Sequence, residues 1–116
     1  MRAIAKTDEA VSELSVITIE SPEPGPGEVL IDVVAAGVCG SDLGLYTNEG
    51  GFEFVEYPRV LGHEYAGTVS AVGADVDRFE VGDRVVEAII RGCGDCKQCR
   101  TGHSQRCYDA QITGLH

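Results

Sequence analysis

Four cysteines fall within fifteen residues, at 93, 96, 99 and 107 of the run GCGDCKQCRTGHSQRC, and they constrain the fold more than any other feature. The spacing is C-x2-C-x2-C-x7-C. A tetrahedral zinc needs four ligands, and thiolates bind it at about 2.3 Å. A C-x2-C pair wraps its backbone round one edge of the metal. Two overlapping pairs place three sulfurs on one side, and the longer return supplies the fourth. Gly92, Gly94 and Gly102 permit the turns this requires. Four thiolates leave no open position, so Cys93, Cys96, Cys99 and Cys107 point to a structural zinc. Three other readings use the same residues: a ferredoxin-like cluster, His103 replacing one cysteine, or redox-active dithiols. The ferredoxin pattern is C-x2-C-x2-C-x3-C-P, whereas here the last gap is seven and no proline follows Cys107.

The rest of the chain bounds what surrounds that loop. At 116 residues it has the length of one domain, with 43% hydrophobic residues. Apolar stretches such as VVAA (33–36) and VVEAII (85–90) fall far short of the ~20 residues of a membrane span. The opening MRAIAKTDEAV has no signal-peptide core. A cytoplasmic, reducing compartment is expected, where cysteines are thiols or metal ligands rather than disulfides. Nineteen acidic residues against nine basic ones give a net charge of −10. Such a surface repels nucleic-acid phosphates and anionic lipid, so neither nucleic acid nor membrane is expected as a partner. The acidity fits plain solubility and fits adaptation to high salt.

MRAIAK (1–6) and LSVITIE (14–20) read as strands. SPEPGPGE (21–28) holds three of the four prolines and reads as a rigid turn. VLIDVVAAGVC (29–39) is expected to be a long, mostly buried strand. SDLGLYTN (41–48) reads as a short helix, capped by Ser41 or Asp42. GGFEFVEYP (50–58) is a loop. EYAGTVSAVG (64–73) and DRVVEAII (83–90) are strands joined by an acidic turn. Many short strands, glycine-rich corners and little helix predict a mainly β, small, partly open antiparallel barrel. The zinc-binding lobe should cover about 91–109.

Cys39, far upstream, opens Cys39-Gly40-Ser41-Asp42, and His63 lies in Gly62-His63-Glu64. Each is unremarkable by itself: a lone cysteine is commonly a small buried hydrophobe. With the four-cysteine loop already accounted for, the two together suggest a second metal site of a thiolate, an imidazole and a carboxylate. An incomplete shell of this kind leaves the open position that catalysis needs.

Val38-Cys39-Gly40-Ser41-Asp42, then Gly62-His63-Glu64-Tyr65-Ala66-Gly67-Thr68-Val69, then Val81-Gly82-Asp83-Arg84-Val85 and the cysteine loop occur in an order that resembles the medium-chain zinc-dependent alcohol dehydrogenases. The resemblance is to their N-terminal GroES-like catalytic domain and covers essentially the whole chain, 1–116. It implies that Cys39 and His63 ligate a catalytic zinc. Glu64 would approach or bind that zinc when water is displaced. Ser41 would hydrogen-bond the substrate hydroxyl and begin a proton relay, and Asp42 would orient His63. The implied reaction lowers an alcohol's pKa on zinc and passes a hydride to NAD or NADP. The implied partners are a small-molecule alcohol, polyol or related hydroxy compound and, for the full-length enzyme, further copies of itself.

Two departures accompany the resemblance. Many relatives carry a histidine where this chain has Gly44, which puts the relay beyond Ser41 in question. No G-x-G-x-x-G dinucleotide fingerprint occurs, so the chain is expected to be a catalytic domain cut from a longer enzyme and inactive by itself. The rival of another class is a stand-alone zinc-stabilised binding module, which would need only the four-cysteine site.

Overall fold

The computed structural model describes residues 1–10 and 12–116. Its strands form three small antiparallel sheets. The first has the order β2-β1-β4, from Ser15–Thr18, Arg2–Lys6 and Arg59–Val60. The second has the order β3-β5-β6, from Val29–Ala36, Tyr65–Val72 and Arg84–Val86. The third pairs β7 (Ile90–Arg91) with β8 (Gln111–Ile112) at the foot of the cysteine loop. Among the described residues there are two α-helices, α1 (Gly40–Thr47) and the single-turn α2 (Lys97–Arg100), with a 3-10 turn at Ser104–Arg106. The fold is mainly β and antiparallel, as expected; in place of a partly open barrel the sheets stay open, and no closed barrel forms among the described residues.

β3 and β5 form the longest pairing, running from Val29 opposite Val72 to Ala36 opposite Tyr65. Gly67 of β5 pairs with Val33 of β3, where the Asp32 carbonyl leaves no room for a β-carbon. β3 was expected to be mostly buried and is not: Val33 is 53% and Val34 79% exposed. A three-stranded sheet covers only what lies against it, and this strand is at its edge.

The expected strand over 83–90 is broken. β6 stops at Val86, and Ile89 takes a left-handed backbone (φ 57°) before β7 begins. That kink turns the chain out of the large sheet and into the cysteine lobe. β4 and β8, of two residues each, lay below what the sequence pattern could signal.

The apolar core is small. Leu45 of α1, Val55 of the 50–58 loop and Leu115 are buried together, with Phe52, Tyr57, Leu61 and Ile112 packed round them. The segment after β8 therefore closes over α1. Gly114 (φ 79°) lies so close to Gly62 that a β-carbon there would stand 2.9 Å from the Gly62 carbonyl. No helix among the described residues is long and apolar enough to cross a membrane.

Candidate metal centres

The sulfurs of Cys93, Cys96, Cys99 and Cys107 all lie within 4.8 Å of one another. A tetrahedron with bonds of about 2.3 Å has edges of roughly 3.8 Å, and Cys96 Sγ stands 3.8 Å from Cys107 Sγ. Backbone donors turn inward on the sulfurs. Cys96 N–H donates to Cys93 Sγ, and the N–H groups of Cys93 and Asp109 donate to Cys107 Sγ, each at 3.3 Å. Gly92 is needed for space, because a β-carbon there would stand 2.7 Å from Cys99 Sγ. Gly94 (φ 81°) and Gly102 (φ 80°) turn the chain in conformations that favour glycine. The Cys99 backbone holds the Cys96 thiol down to about 6, while burial pushes the Cys99 thiol up to about 12. Four adjacent thiols cannot all ionise unaided, and a divalent cation among them supplies the missing positive charge. The donor set fits zinc. His103 stands outside this group, exposed, with Nδ1 facing Thr101 Oγ1 at 3.4 Å.

The second group is assembled by the start of α1 and the turn leading into β5. Cys39 is the N-cap residue, with extended backbone (φ −85°, ψ 160°). Ser41 and Asp42, expected as caps, lie inside the helix instead. Asp42 still performs the capping from the third helical position, where its Oδ2 accepts the Cys39 N–H at 2.8 Å. Gly62 (φ 107°) makes the turn that delivers His63, which is 3% exposed. Cys39 Sγ, a ring nitrogen of His63 and a carboxylate oxygen of Glu64 lie within 4.8 Å of one another.

Asp42 Oδ1 faces His63 Nδ1 at 3.9 Å, and both atoms are buried with no hydrogen-bond partner. A carboxylate on that side favours the ring proton on Nδ1, which leaves the Nε2 lone pair free. Nε2 meets Ser41 Oγ at 3.2 Å. Thiolate, imidazole and carboxylate converging on one point are a donor set that suits zinc. Cys39, Ser41, Asp42, His63 and Glu64 thus gather in one place and the four loop cysteines in another, with His103 in neither.

Sequence reasoning missed the residues that shape the second group. Gly37 N–H donates to the Glu64 carbonyl at 2.7 Å, and a β-carbon on Gly37 would stand 2.9 Å from Glu64 Oε2. Behind Glu64 opens a cavity of about 490 Å³ whose lining includes Gly37, His63, Glu64, Tyr65 and Glu87. Tyr65 donates to Glu87 Oε2 at 3.0 Å, and Thr113 donates to Glu87 Oε1 at 2.7 Å. Gly44 has a definite role as well. A β-carbon there would meet the Phe52 ring at 2.5 Å and the Glu49 carbonyl at 2.7 Å, so Phe52 occupies the space a longer residue 44 would need.

Residues 25–115 match the family model described as the alcohol dehydrogenase GroES-like domain. Over 101 residues the chain is 47% identical to sorbitol dehydrogenase of Bacillus subtilis (strain 168), a match covering 86% of this chain and 29% of that protein. The structure of an NAD-dependent alcohol dehydrogenase superposes with a TM-score of 0.90 at 35% identity, covering 100% of this chain and 34% of the other. The cobalt- and zinc-bound thermostable alcohol dehydrogenase of Pyrobaculum aerophilum gives a TM-score of 0.85 at 37% identity, covering 99% and 35%. The chain therefore spans about a third of the length of the proteins it matches.

Proposed function

The chain belongs to the alcohol dehydrogenase GroES-like domain family, and from that premise we propose that it is the catalytic-domain part of a zinc-dependent, NAD(P)-linked dehydrogenase of small alcohols or polyols. The observation that carries this reading is the Cys39, His63 and Glu64 cluster, which is separate from the four-cysteine lobe, supplies three donors rather than four, and has Glu64 exposed. A purely structural module has no use for a second, incomplete shell.

When bound, zinc supplies Lewis acidity toward an alcohol oxygen, and a nicotinamide supplies the hydride acceptor. The chain's own residues do the rest. Cys39 and His63 are the zinc ligands, and Glu64 is the carboxylate within reach of the same point. Asp42 fixes the Cys39 backbone with one oxygen and faces the His63 ring with the other. Ser41, half-buried beside His63, has its hydroxyl in place to take a hydrogen bond from a substrate hydroxyl and pass its proton on. With Phe52 filling the space at Gly44, that proton leaves Ser41 without help from position 44. Cys93, Cys96, Cys99 and Cys107 hold a structural zinc. Sorbitol dehydrogenase is the named activity of a 47% identical relative, which favours a polyol among the candidate substrates. Cysteines gathered as ligand sets, all of them free thiols, suit a reducing, cytoplasmic compartment.

Metal content tests the reading directly. Two zinc or cobalt equivalents should bind, one lost in Cys96→Ser and the other in His63→Ala. In the full-length polypeptide, Cys39→Ala should abolish alcohol-dependent cofactor reduction. A single equivalent that ignores both Cys39 and His63 overturns the catalytic assignment and leaves the structural one.

A further inference from the structure

The turn that carries Cys39, Ser41 and Asp42 is the first turn of α1, an eight-residue helix about 12 Å long. The opposite end of that helix is held in an unusual way. A helix C-terminus is the negative end of its macrodipole and is usually met by a basic residue, yet α1 has none in its last turn. The cation arrives from β1. Lys6 is 0% exposed, and its Nζ donates to Leu45 O at 2.8 Å, Asn48 Oδ1 at 2.7 Å and Ala10 O at 2.7 Å.

An ammonium has three protons, so these three acceptors satisfy it completely. None of them is a carboxylate, so direction rather than charge neutralisation holds the group. The Tyr57 ring lies 5.7 Å from Nζ and adds a cation–π contact. Asn48 is the left-handed C-cap of α1 (φ 56°), and its Nδ2 donates in turn to Glu9 O. The Ser12 N–H donates to Tyr46 O at 2.6 Å. The last turn of α1 is thereby fastened to β1 and to the segment beyond it. A buried cation carries a desolvation cost that an apolar residue of the same length avoids, so packing alone does not account for a lysine here.

We propose that Lys6 is a positioning residue for the Cys39–His63 site: its ammonium fixes the C-terminal end of α1 and so sets the rotation at which the first turn presents Cys39, Ser41 and Asp42 to His63. In a two-turn helix the ends are rigidly connected, and each residue step is about 100° of rotation. A loosened last turn swings Asp42 away from the His63 ring. The inference builds on the role given above to that site.

The test uses the folded chain loaded with a single zinc equivalent, enough for the four-cysteine site alone, and reads the nitrogen resonances of the His63 ring, which report its tautomer and its partner without a second metal. Lys6→Met keeps the stem and deletes the ammonium. Asn48→Gly keeps the left-handed cap and deletes one acceptor. Lys6→Met should shift and broaden the His63 ring resonances toward a mixture of tautomers, with the cysteine-loop resonances unmoved. Asn48→Gly should do the same to a smaller degree, and it decides the matter if Lys6→Met does not fold. His63 resonances that coincide with the parent's, accompanied only by a lower melting temperature, overturn the proposal. The catalytic reading fails on a different result, absence of a second metal equivalent in the parent, so the two failures are distinguishable.

Discussion

Asp42 Oδ1 and His63 Nδ1 face each other at 3.9 Å, buried, with no other hydrogen-bond partner for either atom. The gap is too long for a hydrogen bond and too dry for either group to be left so. A metal drawing on Nε2 would make the imidazole a better donor at Nδ1 and pull the pair together. Asp42→Asn keeps an oxygen for the Cys39 N–H but removes the charge. It should weaken metal binding at this site by roughly 10–100-fold and change stability little. A chelator competition at constant loading of the four-cysteine site measures this, and an unchanged second affinity would rule out the orienting role.

Gly37 sets where the Glu64 carboxylate can lie, since a β-carbon would stand 2.9 Å from its Oε2. The clash is with the end of a flexible side chain, so Gly37→Ala should cost only about 1 kcal/mol of folding stability. Its larger effect should be weaker binding at the second metal site. In a Glu64→Ala background the same substitution should cost less, a coupling that a double-mutant cycle reads. Strictly additive effects would place the two residues out of contact.

Burial first, and then the hydrogen bond to Glu87, raise the Tyr65 phenol from 10.0 to about 12. A raised folded pKa means that the folded chain holds this proton more tightly than the unfolded chain does. The contribution is therefore complete below the unfolded value and is lost as pH rises through the folded one, a window of about 10 to 12. Urea unfolding across that window should show the parent losing stability faster than Tyr65→Phe. At neutral pH the substitution should cost about 1 kcal/mol, because Thr113 still donates to Glu87. Parallel pH profiles would refute the assignment.

Removing metal should disorder the cysteine lobe before the sheets. The four sulfurs hang on two-residue strands and single-turn helices, which have little stability of their own. Closed four-thiolate sites contribute on the order of 10 kcal/mol of apparent binding energy. Hydrogen exchange should show residues 91–109 opening on chelation while β5 stays protected. Cys96→Ser should reproduce this and lose one zinc equivalent. A Ser variant that melts with the parent and retains its zinc contradicts the structural role.

The two side-chain clusters were legible to different degrees: the four cysteines by their own spacing, C-x2-C-x2-C, and Cys39, His63 and Glu64 only through the short runs that carry the family resemblance. Secondary structure was legible where a strand or helix ran several residues, as in β1, β5 and α1. Burial was not. By alternation Ile4 and Lys6 share one face of β1, yet the structure leaves Ile4 55% exposed while hiding Lys6 completely, so position along the strand and not face decides burial here. The kink at Ile89 escaped for another reason: a β-branched residue is a poor candidate for left-handed backbone, and tertiary packing overrode that preference. Gly37 and Gly44 matter for the side chains that come close to them, Glu64 and Phe52, and these neighbours are distant enough in the chain to leave no local signature.

Gly62 and Gly114 meet backbone against backbone, both in left-handed conformations. No side chain stands between them to act as a spring. The segment after β8 therefore abuts the residue immediately before His63 through backbone alone. Anyone grafting a different lobe onto this scaffold, or trimming the one it has, inherits a steric condition: the returning chain must pass Gly62 with a residue that carries no β-carbon, at a point 51 positions beyond the imidazole.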